Sequence, residues 1–177
     1  DAMANGGRNP RTGKTTGDYI DIDSFTSLYW VNEITKNRDG FMFSSTYAYK
    51  DSSSSGSDSR LAFGPAWDFD LSLGSLSSPT GEPTSWVTDP TGWYTRATGI
   101  APLFMRDPPV LKTVNAARND VVAASKDYLV AELSNQRKAV ESSMRLNSVV
   151  WGSPGESCDD VVRWLDQRLD WLSNVRL

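Results

Sequence analysis

The sequence predicts a mixed α+β domain, mainly helical, in which one β-hairpin lies against the first helix. Three observations predict it. Phe41, Phe43, Ser45, Tyr47 and Tyr49 fall at alternate positions, a period-two signal for a strand. Leu61 to Asp70 returns as its partner beyond a serine-rich tip from Asp51 to Ser59. From Ile100 onward the apolar residues recur at helical rather than strand spacing. A chain of 177 residues is long enough for a single domain with a real core and does not require two.

The elements follow in order. Residues Asn5 to Gly17 are dense in Gly, Asn, Pro, Thr and Arg and read as part of an exposed loop over 1–18. Gly7 to Thr15 approaches the phosphate-binding pattern GxxxxGK[ST], but it has one residue too many between the glycines and no strand before it, so it is set aside. Asp23 or Ser24 caps a helix that runs to about Lys36 and turns Phe25, Leu28, Tyr29 and Val31 or Asn32 inward, with Gly40 as its terminator. Helix and hairpin together fill 19–75. Ser, Pro, Thr and Gly mark a long loop over 76–98, and loops of that length in a compact domain are often functional. In the helical tail over 99–177, Ile100 to Met105 makes a short turn and Asp107 with Pro108 and Pro109 starts a helix. A separate helix is expected from Ser125 to Asn147, with Leu129, Leu133, Val140 and Met144 on its apolar stripe. The last helix begins near Ser157 and presents Val161, Trp164, Leu165, Leu169 and Leu172.

Composition excludes several chemistries. Histidine is absent, which removes Ser-His-Asp and Cys-His catalysis and His-liganded zinc. Cys158 is the only cysteine, so there is no internal disulfide and no Cys-rich zinc site, and it reads as structural. A formal charge of −4 and the lack of a basic stripe argue against nucleic acid as a partner. No apolar run approaches the ~20 residues of a membrane span. What remains is chemistry on carboxylates, Lys, Arg, Tyr, Asn, backbone dipoles or a bound ion.

The run Gly64-Pro65-Ala66-Trp67-Asp68-Phe69-Asp70-Leu71 sets two carboxylates two residues apart in an apolar frame. In an extended strand Asp68 and Asp70 project to one side, and Trp67 and Phe69 face the core. Burying two unpaired carboxylates together is costly, and a divalent cation relieves the cost. Hard oxygen ligands suit Mg²⁺, Mn²⁺ or Ca²⁺. The alternative is that one Asp caps a turn and the other is solvated. Asn37 can close the helix C-terminus, Asp39-Gly40 is also an ordinary turn dipeptide, and Glu33 can form a surface ion pair with Lys36 or Lys50. The tryptophans at 151, 164 and 171 read as packing residues on the helical tail.

Upstream of this run lie Tyr19-Ile20-Asp21-Ile22-Asp23-Ser24-Phe25, then Asn32-Glu33-Ile34-Thr35-Lys36-Asn37-Arg38-Asp39, then Ser45-Thr46-Tyr47-Ala48-Tyr49-Lys50-Asp51. In this order the blocks resemble the CotH family, the spore coat protein H type of atypical bacterial protein kinase. Its pattern reads approximately YIDxxSFxxxxxxNELxKNxD, SxYxYKD and GPxWDFDLxFG, followed by a Trp-rich helical tail. The resemblance implies a kinase-like C-terminal lobe and ATP-dependent, Mg²⁺- or Mn²⁺-assisted phosphorylation of Ser or Thr in a protein substrate. It implies Asp39 in the catalytic-loop position, Asp68 in the position of a metal-binding Asp, and Asp70 as a neighbour that binds the metal directly or through water. Asn37 is implied as a second ligand. Lys50 can contact phosphate, the alternative being that it is solvated at a strand end. It also implies a spore-coat, cell-envelope or extracellular location in a bacterium.

Two departures stand out. The family continues its last block as LAFGN, whereas here the chain reads Leu71-Ser72-Leu73-Gly74-Ser75. Nothing before Tyr19 resembles a lobe with a nucleotide-gripping lysine and a phosphate cover. The chain, which begins with Asp, is therefore expected to be the C-terminal lobe of a longer protein and to be inactive by itself. The rival readings are a non-catalytic interaction module on the same scaffold and a carboxylate-based glycosidase.

Overall fold

The computed structural model describes residues 1–41, 44–51, 60–75, 88–152 and 158–176. It is a mainly helical α+β fold with one antiparallel strand pair. The main elements are α1 (Ile22–Thr35), β1 (Ala48–Lys50), β2 (Leu61–Phe63), α2 (Ala101–Met105), α3 (Pro108–Trp151) and α4 (Cys158–Asn174). The expected serine-rich tip and most of the long loop lie outside the described residues.

Helix α1 is capped two residues before Asp23 and three before Ser24, the caps the sequence suggests. Asp21 is the cap, its carboxylate accepting from the backbone N–H of Asp23 at 3.1 Å and of Ser24 at 3.2 Å. Ser24 instead joins the helix to the sheet, since its hydroxyl accepts from the Phe63 N–H at 3.1 Å. Lys36, not Gly40, ends the helix, with a left-handed φ of 47°. The requirement at Gly40 is space. A Cβ there would lie 2.0 Å from Asn32 Oδ1 and 2.6 Å from Asn37 Nδ2.

The strands are shorter than the alternation implies. β1 and β2 pair over three residues each, Ala48 opposite Phe63 and Lys50 opposite Leu61. Ile20 adds a parallel bridge to Leu61, through Asp21 N–H to Leu61 O at 2.9 Å and Leu61 N–H to Tyr19 O at 2.8 Å. Beyond Phe63 the chain leaves the ladder, so the 64–70 segment is a loop rather than the second half of a strand.

The core gathers where α1 crosses α3 and α4. Phe25 stacks on Phe104 at 4.4 Å and meets Phe41 and Phe63 edge-on at 5.2 and 5.4 Å. Trp30 buries its ring and donates Nε1–H to the Val114 carbonyl at 2.9 Å. Leu165, Leu169 and Leu172 of α4 complete the layer.

The two helices expected between Pro108 and Asn147 are one, of 44 residues. No Gly or Pro interrupts the chain after Pro109, so nothing breaks the backbone ladder until Gly152, left-handed at φ 64°. Asp107 caps it as expected, accepting from Val110 N–H at 3.4 Å and from the hydroxyl of Thr16. That second contact pins the N-terminal segment, in which Asn9 and Thr16 are buried rather than exposed.

Two aromatic expectations are reversed. Trp151, at the far end of α3, is 75% exposed, and Trp67 is 56% exposed, resting edge-on against Tyr47 at 5.9 Å. Trp164 does pack, with its ring over Gly74 and its Nε1–H donated to Thr88 O at 2.9 Å.

Candidate functional site

Two loops meet at the C-terminal end of α1. The first is 36–41, leaving the helix; the second is 64–73, leaving β2. They are laced by backbone bonds, Arg38 N–H to Leu71 O at 2.9 Å and Leu73 N–H to Thr35 O at 2.8 Å. Between these the Asn37 carboxamide donates Nδ2–H to the Asp68 carbonyl at 3.0 Å. The structure therefore brings Asn37 and Asp68 together.

The backbone here is strained. Among the described residues the non-glycine positions with positive φ are Lys36 (47°), Phe41 (41°), Asp68 (61°) and Leu73 (56°), and all four belong to these two loops. Left-handed backbone costs an L-residue about 1–2 kcal/mol, and bulky residues adopt it only when the surroundings compel them. Such strain concentrates at functional sites.

The left-handed turn at Asp68 also corrects the extended picture of the carboxylate pair. Asp68 and Asp70 are both exposed, so burial does not force a counter-ion on them. Their relation is set by a turn, not by a strand face. Among the described residues no three acidic, Cys or His side chains converge on one point. Asp39 is half-buried, and its carbonyl accepts from Ser44 N–H (3.1 Å), Ser45 N–H (2.9 Å) and Ser44 Oγ–H (2.8 Å). Lys50 is exposed on β1, opposite Leu61.

Glu33 is not at the surface. Its side chain is 0% exposed and pairs with Arg168 of α4, Nη2 to Oε1 at 2.8 Å, with the same nitrogen 2.8 Å from the Glu33 carbonyl. The carboxylate also accepts from Tyr94 N–H (2.8 Å), Arg96 N–H (2.9 Å) and the Tyr29 hydroxyl (3.1 Å). Arg168 Nη1 donates to the carbonyls of Pro90 at 3.0 Å and Gly92 at 2.7 Å. Lys36 donates to the carbonyls of Asp89, at 2.7 Å, and Thr91. Segment 89–96 is thus strapped to the end of α1 by two buried cations and one buried carboxylate. Tyr94 closes the circuit, its hydroxyl donating to the Arg38 carbonyl at 3.0 Å, next to Asp39.

Burial dominates the ionisation of this strap. It lowers the Lys36 pKa from 10.5 to about 8, with Arg168 adding to the effect and Asp89 and Glu33 opposing it. Burial raises Tyr29 and Tyr94 and lowers Arg168, whose charge Glu33 supports.

Sequence reasoning missed Arg168. Its signal was a charged residue on the apolar stripe of α4, three after Leu165 and one before Leu169. No local pattern could have shown that Tyr94 reaches Arg38.

The family described as CotH kinase protein matches residues 4–172. The chain belongs to the CotH kinase family. The CotH match takes in both loops, the strap and all but the last two residues of α4. No curated protein and no solved structure matches the chain at significance. Among the described residues no helix is long and apolar enough to cross a membrane.

Proposed function

We propose that this domain serves ATP-dependent transfer of phosphate to Ser or Thr of a protein substrate, with the reacting groups held at the meeting of the 36–41 and 64–73 loops. The observation that carries this reading is the direct bond from Asn37 to Asp68 inside the cluster of strained backbone. Family membership supports it.

The residues fit a hard divalent cation such as Mg²⁺ or Mn²⁺. Asn37 Oδ1 is buried and without a hydrogen-bond partner among the described residues, a carbonyl-type oxygen that coordination would satisfy. Asn37, Asp68 and Asp70 would hold the ion. When bound, it supplies charge neutralisation for the phosphates. Asp39 orients the substrate hydroxyl and accepts its proton, and Lys50 contacts phosphate. The location this reading carries is the spore coat, the cell envelope or the outside of a bacterial cell.

The test is calorimetry of Mn²⁺ and Mg-ATP with the longest natural chain carrying this domain, beside the same chain with Asp68→Ala. Loss of binding in the variant, with an unchanged melting temperature, is expected. Equal binding by both proteins, or none by either, refutes the assignment.

A further inference from the structure

Ser45 opens the SxYxYKD block and has no part in the chemistry described so far, yet it touches both halves of the site. Its N–H donates to the Asp39 carbonyl at 2.9 Å, and its hydroxyl donates to Asp68 Oδ2 at 3.3 Å. Ser45 is half-buried, whereas the neighbouring Ser44 is exposed and its hydroxyl donates to the Asp39 carbonyl rather than to Asp68.

We infer that Ser45 is a positioning residue that sets the Asp68 carboxylate relative to the Asp39 loop, so that the carboxylate meets a divalent cation already oriented. The inference rests on the proposed metal-assisted reaction.

Asp68 occupies a left-handed conformation and is exposed, a combination that leaves its side chain free to rotate unless something holds it. Asn37 holds only its backbone carbonyl. Among the described residues the Ser45 hydroxyl is the one protein donor to its carboxylate. Because Ser45 is itself fixed by Asp39, the bond links the two loops rather than merely decorating one. A hydroxyl that occupies Oδ2 directs the other oxygen toward a ligand, the usual role of groups behind a metal-binding carboxylate. Oriented ligands bind more tightly because less side-chain freedom is lost on coordination.

The experiment uses Mn²⁺ alone as the probe, measured by calorimetry on the longest natural chain, with melting temperature recorded in parallel. The variants are Ser45→Ala, Ser45→Thr, Ser45→Val and Asp68→Ala. Thr and Val have nearly the same shape and differ in the hydroxyl, so they decide the matter even if the alanine variant does not fold. Expected are an affinity about tenfold weaker for S45A and S45V, wild-type affinity within about twofold for S45T, and melting temperatures that do not track this order. If S45V binds Mn²⁺ as tightly as S45T while D68A has lost binding, the metal site stands and the role of Ser45 is overturned. If D68A binds like the wild type, or the wild type does not bind, the metal reading fails and Ser45 fails with it.

Discussion

Replacing Arg168 by methionine tests the strap that holds the candidate site against α4. Both side chains of the Glu33–Arg168 pair are fully buried. Methionine keeps much of the apolar stem, and it removes four contacts at once, to Glu33 Oε1 and to the carbonyls of Glu33, Pro90 and Gly92. Glu33 then keeps neutral donors from Tyr29, Tyr94 and Arg96 but loses the cation in contact with it. Removing one partner of a buried pair costs about 3–5 kcal/mol, because an uncompensated charge is left behind. For a domain of this size each kcal/mol lowers the melting temperature by about 2–4 °C, so R168M is expected to melt about 6–20 °C lower. Urea unfolding followed by tryptophan fluorescence reads the effect, since Trp93 and Trp171 meet edge-on at 5.2 Å beside the pair and Arg168 lies over Trp171 at 5.0 Å. The double variant Glu33→Gln with Arg168→Met removes both charges and should recover part of the loss, a coupling that two independent sites would not show. Stability of R168M within about 1 kcal/mol of wild type would refute the argument, because it would place the buried pair with exposed pairs such as Lys126–Asp170.

Two further perturbations act on the same loops. The Lys36 pKa is lower in the folded protein, about 8 against an ordinary 10.5, so between those values the unfolded chain binds more protons and Lys36 makes stability rise with pH. Lys36→Met should remove that rise, up to about 3 kcal/mol across the window, and superimposable pH profiles of unfolding for the two proteins would rule it out. Gly40→Ala drives a methyl group into Asn32 Oδ1 and Asn37 Nδ2. It should cost about 1–3 kcal/mol by overpacking and should weaken Mn²⁺ binding through Asn37, whereas wild-type melting and binding would show that the loop yields without consequence.

What was legible in the sequence is what short-range physics decides. The Asp107-Pro108-Pro109 start of α3 follows from a capping carboxylate and two residues that need no N–H partner. The face of α4 follows from spacing alone, and Trp164, Leu165, Leu169 and Leu172 are all buried. Errors arise where a distant partner overrides a local signal. Alternation through Tyr47 and Tyr49 suggested a long strand, but among the described residues the sheet is two strands wide, pairs over three residues and leaves both rings exposed. Glu33 looked like a surface residue because glutamate usually is one. Only the arrival of Arg168, 135 positions later, makes its burial tolerable.

The carboxylate pair shows the same limit at the site itself. Read as a strand, Asp68 and Asp70 are equivalent neighbours on one face. The left-handed φ at Asp68 breaks that equivalence, because it turns the chain between them. Asp68 is held at its carbonyl by Asn37 and at its carboxylate by Ser45, both from segments that also carry or contact Asp39. Asp70 sits in the turn that follows, exposed. A group anchored at two points presents a fixed geometry to a ligand, and an exposed side chain in a turn must give up rotamer freedom to do so. The two aspartates of the WDFD run are therefore unequal in preorganisation, and Asp68 is the one whose position the fold specifies.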